Sequence, residues 1–206
     1  GRPGAGEGGQ GVVLAGALLG EAAVRAGWNA AHTSSYGIAT RGGFTRSDVV
    51  VVPPDREIAY PRVRRPDLVL ALSTGAYEQL LPLCRPGTRL VRDAGVPAHA
   101  AVTGSGGLTA AVKVGEDRAG WRELVLPLAE AARQAGGERV VNMVSLGVIL
   151  VVTGMFSVAS LEEVIRTRFG GERGEANCRA IRAGYRLVAP GNAEVDRDDR
   201  PGTATH

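Results

Sequence analysis

Cysteine is nearly missing from this 206-residue chain, which has only Cys84 and Cys178. Disulfide frameworks, zinc knuckles and iron–sulfur clusters all need more cysteines or closer spacing. Both are therefore read as reduced packing residues. Aromatic residues make up 4%, so a core must come from Val, Leu, Ala and Ile. A dominant charge is lacking too. Lys and Arg number 24 against 21 Asp and Glu, a net charge of +3, and polyanion binding calls for a clustered excess. The tightest basic group, Arg62, Arg64 and Arg65, reads as a solvated loop, so no nucleic acid is expected. The longest apolar run, residues 144–153, is interrupted by Gly147 and covers about half a bilayer span. With no signal peptide at the start, the expectation is a soluble, cytoplasmic protein that meets no membrane.

What the chain has in quantity is glycine, 30 residues, and short apolar segments separated by turns. Residues 1–11, GRPGAGEGGQG, read as a glycine-dense loop. Residues 12–26 are apolar almost all round, the pattern of a helix packed on a sheet. Strands are expected at 30–34 and 44–52. The second ends in Val49-Val50-Val51-Val52, the β-branched run of a strand buried on both faces. A further strand at 67–72 leads to a helix over 74–81 that ends around Pro82. Residues 88–92 form another strand candidate. From 93 to 120 the signal fades into a long loop with a strand at 110–114. A strand at 123–126 then precedes a helix from Pro127 to Ala135, stopped by Gly136-Gly137. Helices follow at 140–153, at 160–168 from a capping box Ser160-Leu-Glu-Glu163, and at 176–188. Residues 190–206 lack apolar periodicity and read as a disordered tail, leaving one domain over 1–189. Alternating strands and helices predict a Rossmann-like α/β fold with three layers and a mostly parallel sheet.

Two motifs could carry chemistry. Gly6-Glu7-Gly8-Gly9-Gln10-Gly11 fits G-x-G-x-x-G ahead of a helix, where glycine lets backbone approach a phosphate and the helix start offers free N–H groups. A nucleotide-binding dehydrogenase would add an acidic residue about 20 positions on. The chain instead has Thr33-Ser34-Ser35-Tyr36 there, which demotes that reading without removing it. Glycine needed only for helix–strand packing is the plainer alternative. The second motif, Ser35-Tyr36-Gly37 followed by Arg41-Gly42-Gly43, places hydroxyls, a guanidinium and glycines in one loop. It could hold an anion, press against a neighbouring chain, or be an ordinary surface loop.

In this order, G-x-GGQG, SYG-x-x-x-RGG and then Ser47-Asp48-Val49-Val50, the motifs resemble the gamma subunit of 2-oxoacid:ferredoxin oxidoreductases, whose domain family is that of the pyruvate/ketoisovalerate oxidoreductases. The resemblance continues through Tyr60-Pro61, Pro66-Asp67, Ala71-Leu72-Ser73, Ala76-Tyr77, Pro86-Gly87, Asn142-Met143, Leu146-Gly147, Phe169-Gly170 and Ala183-Gly184-Tyr185. It implies a subunit, inactive alone, of a complex that carries out CoA-dependent oxidative decarboxylation of a 2-oxoacid and passes electrons to ferredoxin. The SYG triplet leans towards 2-oxoglutarate. Thiamine diphosphate, magnesium and iron–sulfur clusters are implied for the complex, none of them bound by this chain alone. The implied partners are alpha and beta subunits binding thiamine diphosphate, and ferredoxin or a ferredoxin-like subunit. Gly8, Gly9, Gln10, Gly11, Ser35, Tyr36, Gly37, Arg41, Gly42 and Gly43 carry over as the ligand-facing positions. The family opens on a hydrophobic strand, and here only Gly1-Arg2-Pro3-Gly4-Ala5 precedes the glycines. The expected sheet therefore has its first strand lacking or truncated, with a gap at that place. Glu7 is a second departure, an unfavourable charge in a loop that faces phosphate.

Overall fold

A computed structural model of the chain describes residues 7–36, 45–97, 106–109, 112–116 and 120–189. Helix α1, Glu7–Arg25, begins inside the glycine run rather than after it. Each glycine costs a helix about 1 kcal/mol relative to alanine, and close packing offsets that cost. A Cβ on Gly11 would lie 2.3 Å from Asn142 Nδ2, and one on Gly16 would lie 2.0 Å from Ser47 Oγ. Glu7 is the first residue of this helix. Gly27, at φ 87°, turns the chain out of the helix.

Strands β1, Asn29–Tyr36, and β2, Thr45–Val52, form an antiparallel pair of their own, in register from Asn29↔Val52 to Tyr36↔Thr45. This corrects the reading of residues 44–52 as a strand buried on both faces, since every β2 residue is only half-buried. Val49 and Val51 pack towards the core that holds α1. On the other face, Arg46 donates to Val63 O at 2.8 Å and Val63 N–H donates to Asp48 Oδ2 at 3.3 Å.

The second sheet has the order β3-β4-β7-β6-β5, with β3 at Leu68–Ala71, β4 at Arg89–Asp93, β5 at Gly106–Thr109, β6 at Val112–Glu116 and β7 at Arg122–Leu126. Strands β3, β4 and β7 are parallel, as the alternating pattern implied, while β6 and β5 join antiparallel. The single strand expected at 110–114 is in fact this β5–β6 pair. Along β3 the side chains alternate: Leu68 and Leu70 join one core, Val69 and Ala71 the other. The second core holds Tyr77 of α2, Thr74–Leu80, together with Cys84, Leu90, Val96 and Trp121. Ser73 Oγ caps α2 by accepting from Ala76 N–H at 3.2 Å, and Pro82 follows in a 3₁₀ turn.

Helix α3, Leu128–Ala135, starts after Pro127, which has no capping group, so Asp93 at the end of β4 accepts from Ala129 N–H at 2.8 Å. Helices α4, Val141–Thr153, α5, Val158–Phe169, and α6, Gly171–Val188, complete the first core. Two helix starts differ from expectation. Ser157, not Ser160, caps α5, accepting from Ser160 N–H at 3.2 Å. Helix α6 begins at Gly171, with Gly170 at φ 62° making the sharp turn from α5. The fully buried Leu18, Leu126, Leu128, Leu146, Leu161, Ile165 and Ile181 contribute about 1.5–3 kcal/mol each by leaving water. No single described helix is long and apolar enough to cross a membrane. The expected tail, 190–206, lies outside the described residues.

Candidate functional site

Between the two sheets lies a cleft of about 1140 Å³. Strands β2 and β3 both line it, and α1 and α4 contribute Gly11, Ala15, Asn142 and Ile149. Its lining mixes apolar side chains with polar and charged ones, among them Arg46, Asp48, Arg64, Arg65, Asp67 and Asn142.

The described parts of the two sequence motifs, the start of α1 and the Ser35–Tyr36 end of β1, come to one end of this region. Helix α1 turns at Gly27 into β1, and Gly16 of α1 sits over His32 of β1 and Ser47 of β2. The helix and β1 therefore run in opposite directions. At about 1.5 Å per helical residue and 3.3 Å per strand residue, the helix start and the Tyr36–Thr45 end of the strand pair come to the same end. Asn142, in the first turn of α4, joins them through its approach to Gly11.

Gly8, Gly9, Gln10 and Gly11 thus occupy the first turns of α1, and Gly11 lines the cleft. They form no separate loop, because the helix has absorbed them. Ser35 and Tyr36 end β1, paired with Arg46 and Thr45, and Ser35 is exposed. Gly37, Arg41, Gly42 and Gly43 lie outside the described residues.

Beneath α1, His32 Nε2 and Ser47 Oγ are 2.9 Å apart. Burial holds the imidazole below its ordinary value, and the nearby Asp48 carboxylate opposes that shift. Asp48 itself receives Arg46 at 2.6 and 3.0 Å. A neutral imidazole beside a hydroxyl makes this a polar clasp under a close-packed helix. Nothing in residues 29–48 read alone signals the His32–Ser47 pair, although the glycine spacing of α1 marks where a neighbour comes close. Among the described residues no three His, Cys, Asp or Glu side chains converge as metal ligands.

Comparison with known proteins returns one consistent group. The sequence model described as pyruvate ferredoxin/flavodoxin oxidoreductase matches residues 4–187. The 2-oxoglutarate synthase subunit KorC of Methanothermobacter thermautotrophicus is 36% identical over 193 residues, covering 91% of this chain and 94% of the relative. Two solved structures share the fold. The gamma subunit of keto/oxoacid ferredoxin oxidoreductase from Geobacter sulfurreducens PCA matches with a TM-score of 0.65 and 24% identity, over 88% of this chain and 93% of its own. The 2-oxoglutarate:ferredoxin oxidoreductase from Magnetococcus marinus, solved with 2-oxoglutarate, coenzyme A and succinyl-CoA bound, matches at 0.67 and 23%, over 88% of this chain but 29% of that longer one.

Proposed function

The chain belongs to the pyruvate ferredoxin/flavodoxin oxidoreductase family, and from that premise we propose that it forms the CoA-facing wall of a 2-oxoglutarate-oxidising complex. It is a gamma-type subunit of a multisubunit 2-oxoacid:ferredoxin oxidoreductase, and a free-standing dehydrogenase is not favoured. The observation that carries the substrate reading is the near end-to-end similarity to a 2-oxoglutarate synthase subunit.

The reaction class is CoA-dependent oxidative decarboxylation. In our reading the redox and thiamine chemistry sits in other subunits. Cys84 and Cys178 are buried in different cores, so the chain's whole thiolate supply does not fit one iron–sulfur cluster. Thiamine diphosphate and magnesium belong, on this proposal, to alpha and beta subunits, and electrons leave to ferredoxin or a ferredoxin-like subunit, in the cytoplasm. This chain contributes shape and charge. The backbone N–H groups at the start of α1 give a positive end suited to phosphate, and Arg41 would supply a guanidinium beside it.

Steady-state kinetics of the reconstituted complex test this. Arg41→Ala removes one charge-assisted contact, about 1.5–3 kcal/mol, which raises the apparent KM for CoA roughly ten- to hundredfold. The KM for 2-oxoglutarate should change little. A Gly9→Val change, which adds a β-branched side chain where backbone must come close, should act in the same direction. Equal losses for both substrates would indicate damaged assembly, and no loss would end the CoA reading.

A further inference from the structure

The stretch from Pro53 to Pro66 forms no helix or strand, yet it is fastened along its length. Asn29 Nδ2 donates to Pro54 O at 3.2 Å and to Arg56 O at 2.8 Å, and Thr33 Oγ1 donates to Pro61 O at 3.4 Å. The Arg46–Asp48 pair holds both Val63 O and Val63 N–H. Asn29, Thr33, Arg46 and Asp48 share one face of the β1–β2 pair, opposite the face where His32 and Ser47 meet α1. The stretch is thus a strap across the outer face of that pair. Four prolines, Pro53, Pro54, Pro61 and Pro66, further limit the shapes it can take.

What the strap holds outward is cationic. Ile58 and Val63 are half-buried, whereas Tyr60, Arg62, Arg64 and Arg65 are exposed, and these four also border the cleft. Arg64 lies over the Tyr60 ring at 4.8 Å. Among the described residues none of the three arginines forms an ion pair. Residues 60–65 contain three arginines and no Asp or Glu, so they alone equal the net charge of +3 of the whole chain. Reading this group as a solvated loop accounts for its exposure but not for the fastening beneath it. Charges that only met water would need no fixed backbone.

We propose that Tyr60, Arg62, Arg64 and Arg65 form a docking face for an acidic surface on a thiamine-binding subunit, which rests on the reading that such subunits assemble with this chain. Exposed Tyr and Arg are the residue types that dominate contacts between proteins. A strap already held in place loses little freedom when a partner arrives. Unpaired arginines attract an acidic surface and fix its orientation. Nucleic acid would call for a wider basic surface, and these three charges are the chain's entire surplus.

The test titrates the full chain calorimetrically against the purified thiamine-binding subunits. Arg62→Glu with Arg64→Glu is compared with a second double reversal, Arg179→Glu with Arg186→Glu, at exposed positions of α6. In dilute salt the Kd should rise about tenfold or more for the strap reversal and stay within about twofold for the α6 reversal. At about 1 M salt, where the screening length falls to about 3 Å, the strap reversal and the native chain should differ by about threefold or less. Arg62→Gln with Arg64→Gln, which removes the charges without reversing them, should give an intermediate rise. Equal losses in the two reversals, or no loss in the strap, would overturn the docking face and leave the subunit reading standing. A native chain that does not bind these subunits would overturn both. Unchanged assembly with a raised KM for CoA would assign the arginines to a small anion instead and overturn the docking face.

Discussion

Gly147 of α4 and Gly184 of α6 each lie against the main chain of the other's helix. A Cβ on Gly147 would lie 1.9 Å from Ile181 O, and one on Gly184 would lie 1.8 Å from Val144 O. The neighbours on both sides are main chain, so no side chain can swing away. Gly147→Ala or Gly184→Ala must force the helices apart, and each should destabilise the fold by about 2–4 kcal/mol. Urea unfolding of the chain checks this, and a loss below about 1 kcal/mol would show that the two helices can separate without penalty.

Arg92 and Glu123 are both buried and bonded at 2.8 Å. Arg92 also donates to Val96 O and lies 5.8 Å over the Tyr77 ring. Glu123→Ala leaves a guanidinium without its counter-charge, an expected cost of about 3–5 kcal/mol. The double change to Arg92→Leu and Glu123→Leu should cost less than that single one. A double-mutant cycle by denaturant unfolding decides, and simple additivity would contradict the pairing.

The thiols should be inert. Burial raises both, and the Cys84 thiol is pushed up to about 11. At a pH of about 8 both remain overwhelmingly protonated and covered, so iodoacetamide should label the native chain far more slowly than the urea-unfolded one. Rapid labelling of either cysteine in the native chain would contradict the packing described.

His32 should make stability depend on pH in a defined window. Its folded value lies below the ordinary 6.5, so the unfolded chain takes up the proton first. The contribution is complete above about 6.5 and is lost as the pH falls below that value towards the folded one. From about pH 7 to 5.5 the urea midpoint of the native sequence should drop more than that of His32→Gln. Parallel curves would show that the imidazole does not titrate differently on folding.

Local chemistry made much of this protein readable from residues alone. Apolar periodicity placed α4 and α2 within a residue or two, and Gly136-Gly137 ended α3 where expected, because helix packing and left-handed glycines are properties of a few adjacent residues. The motif order GGQG, SYG and RGG was sufficient for the family. Residue identity could not say where the glycine run stops being loop. The helix takes in Gly8 to Gly11, and at Gly11 it meets Asn142, more than 130 positions away. Nor could Val49 to Val52 reveal that their strand would be half-covered, since burial there depends on what occupies the neighbouring edge. The start of α6 likewise moved to Gly171 because Gly174 packs against the backbone of α5 at Arg166. Patterns within a turn or a strand settle which elements form. Edges, caps and close approaches depend on residues far apart in sequence, so only the tertiary structure decided which faces were covered and which stayed half-buried.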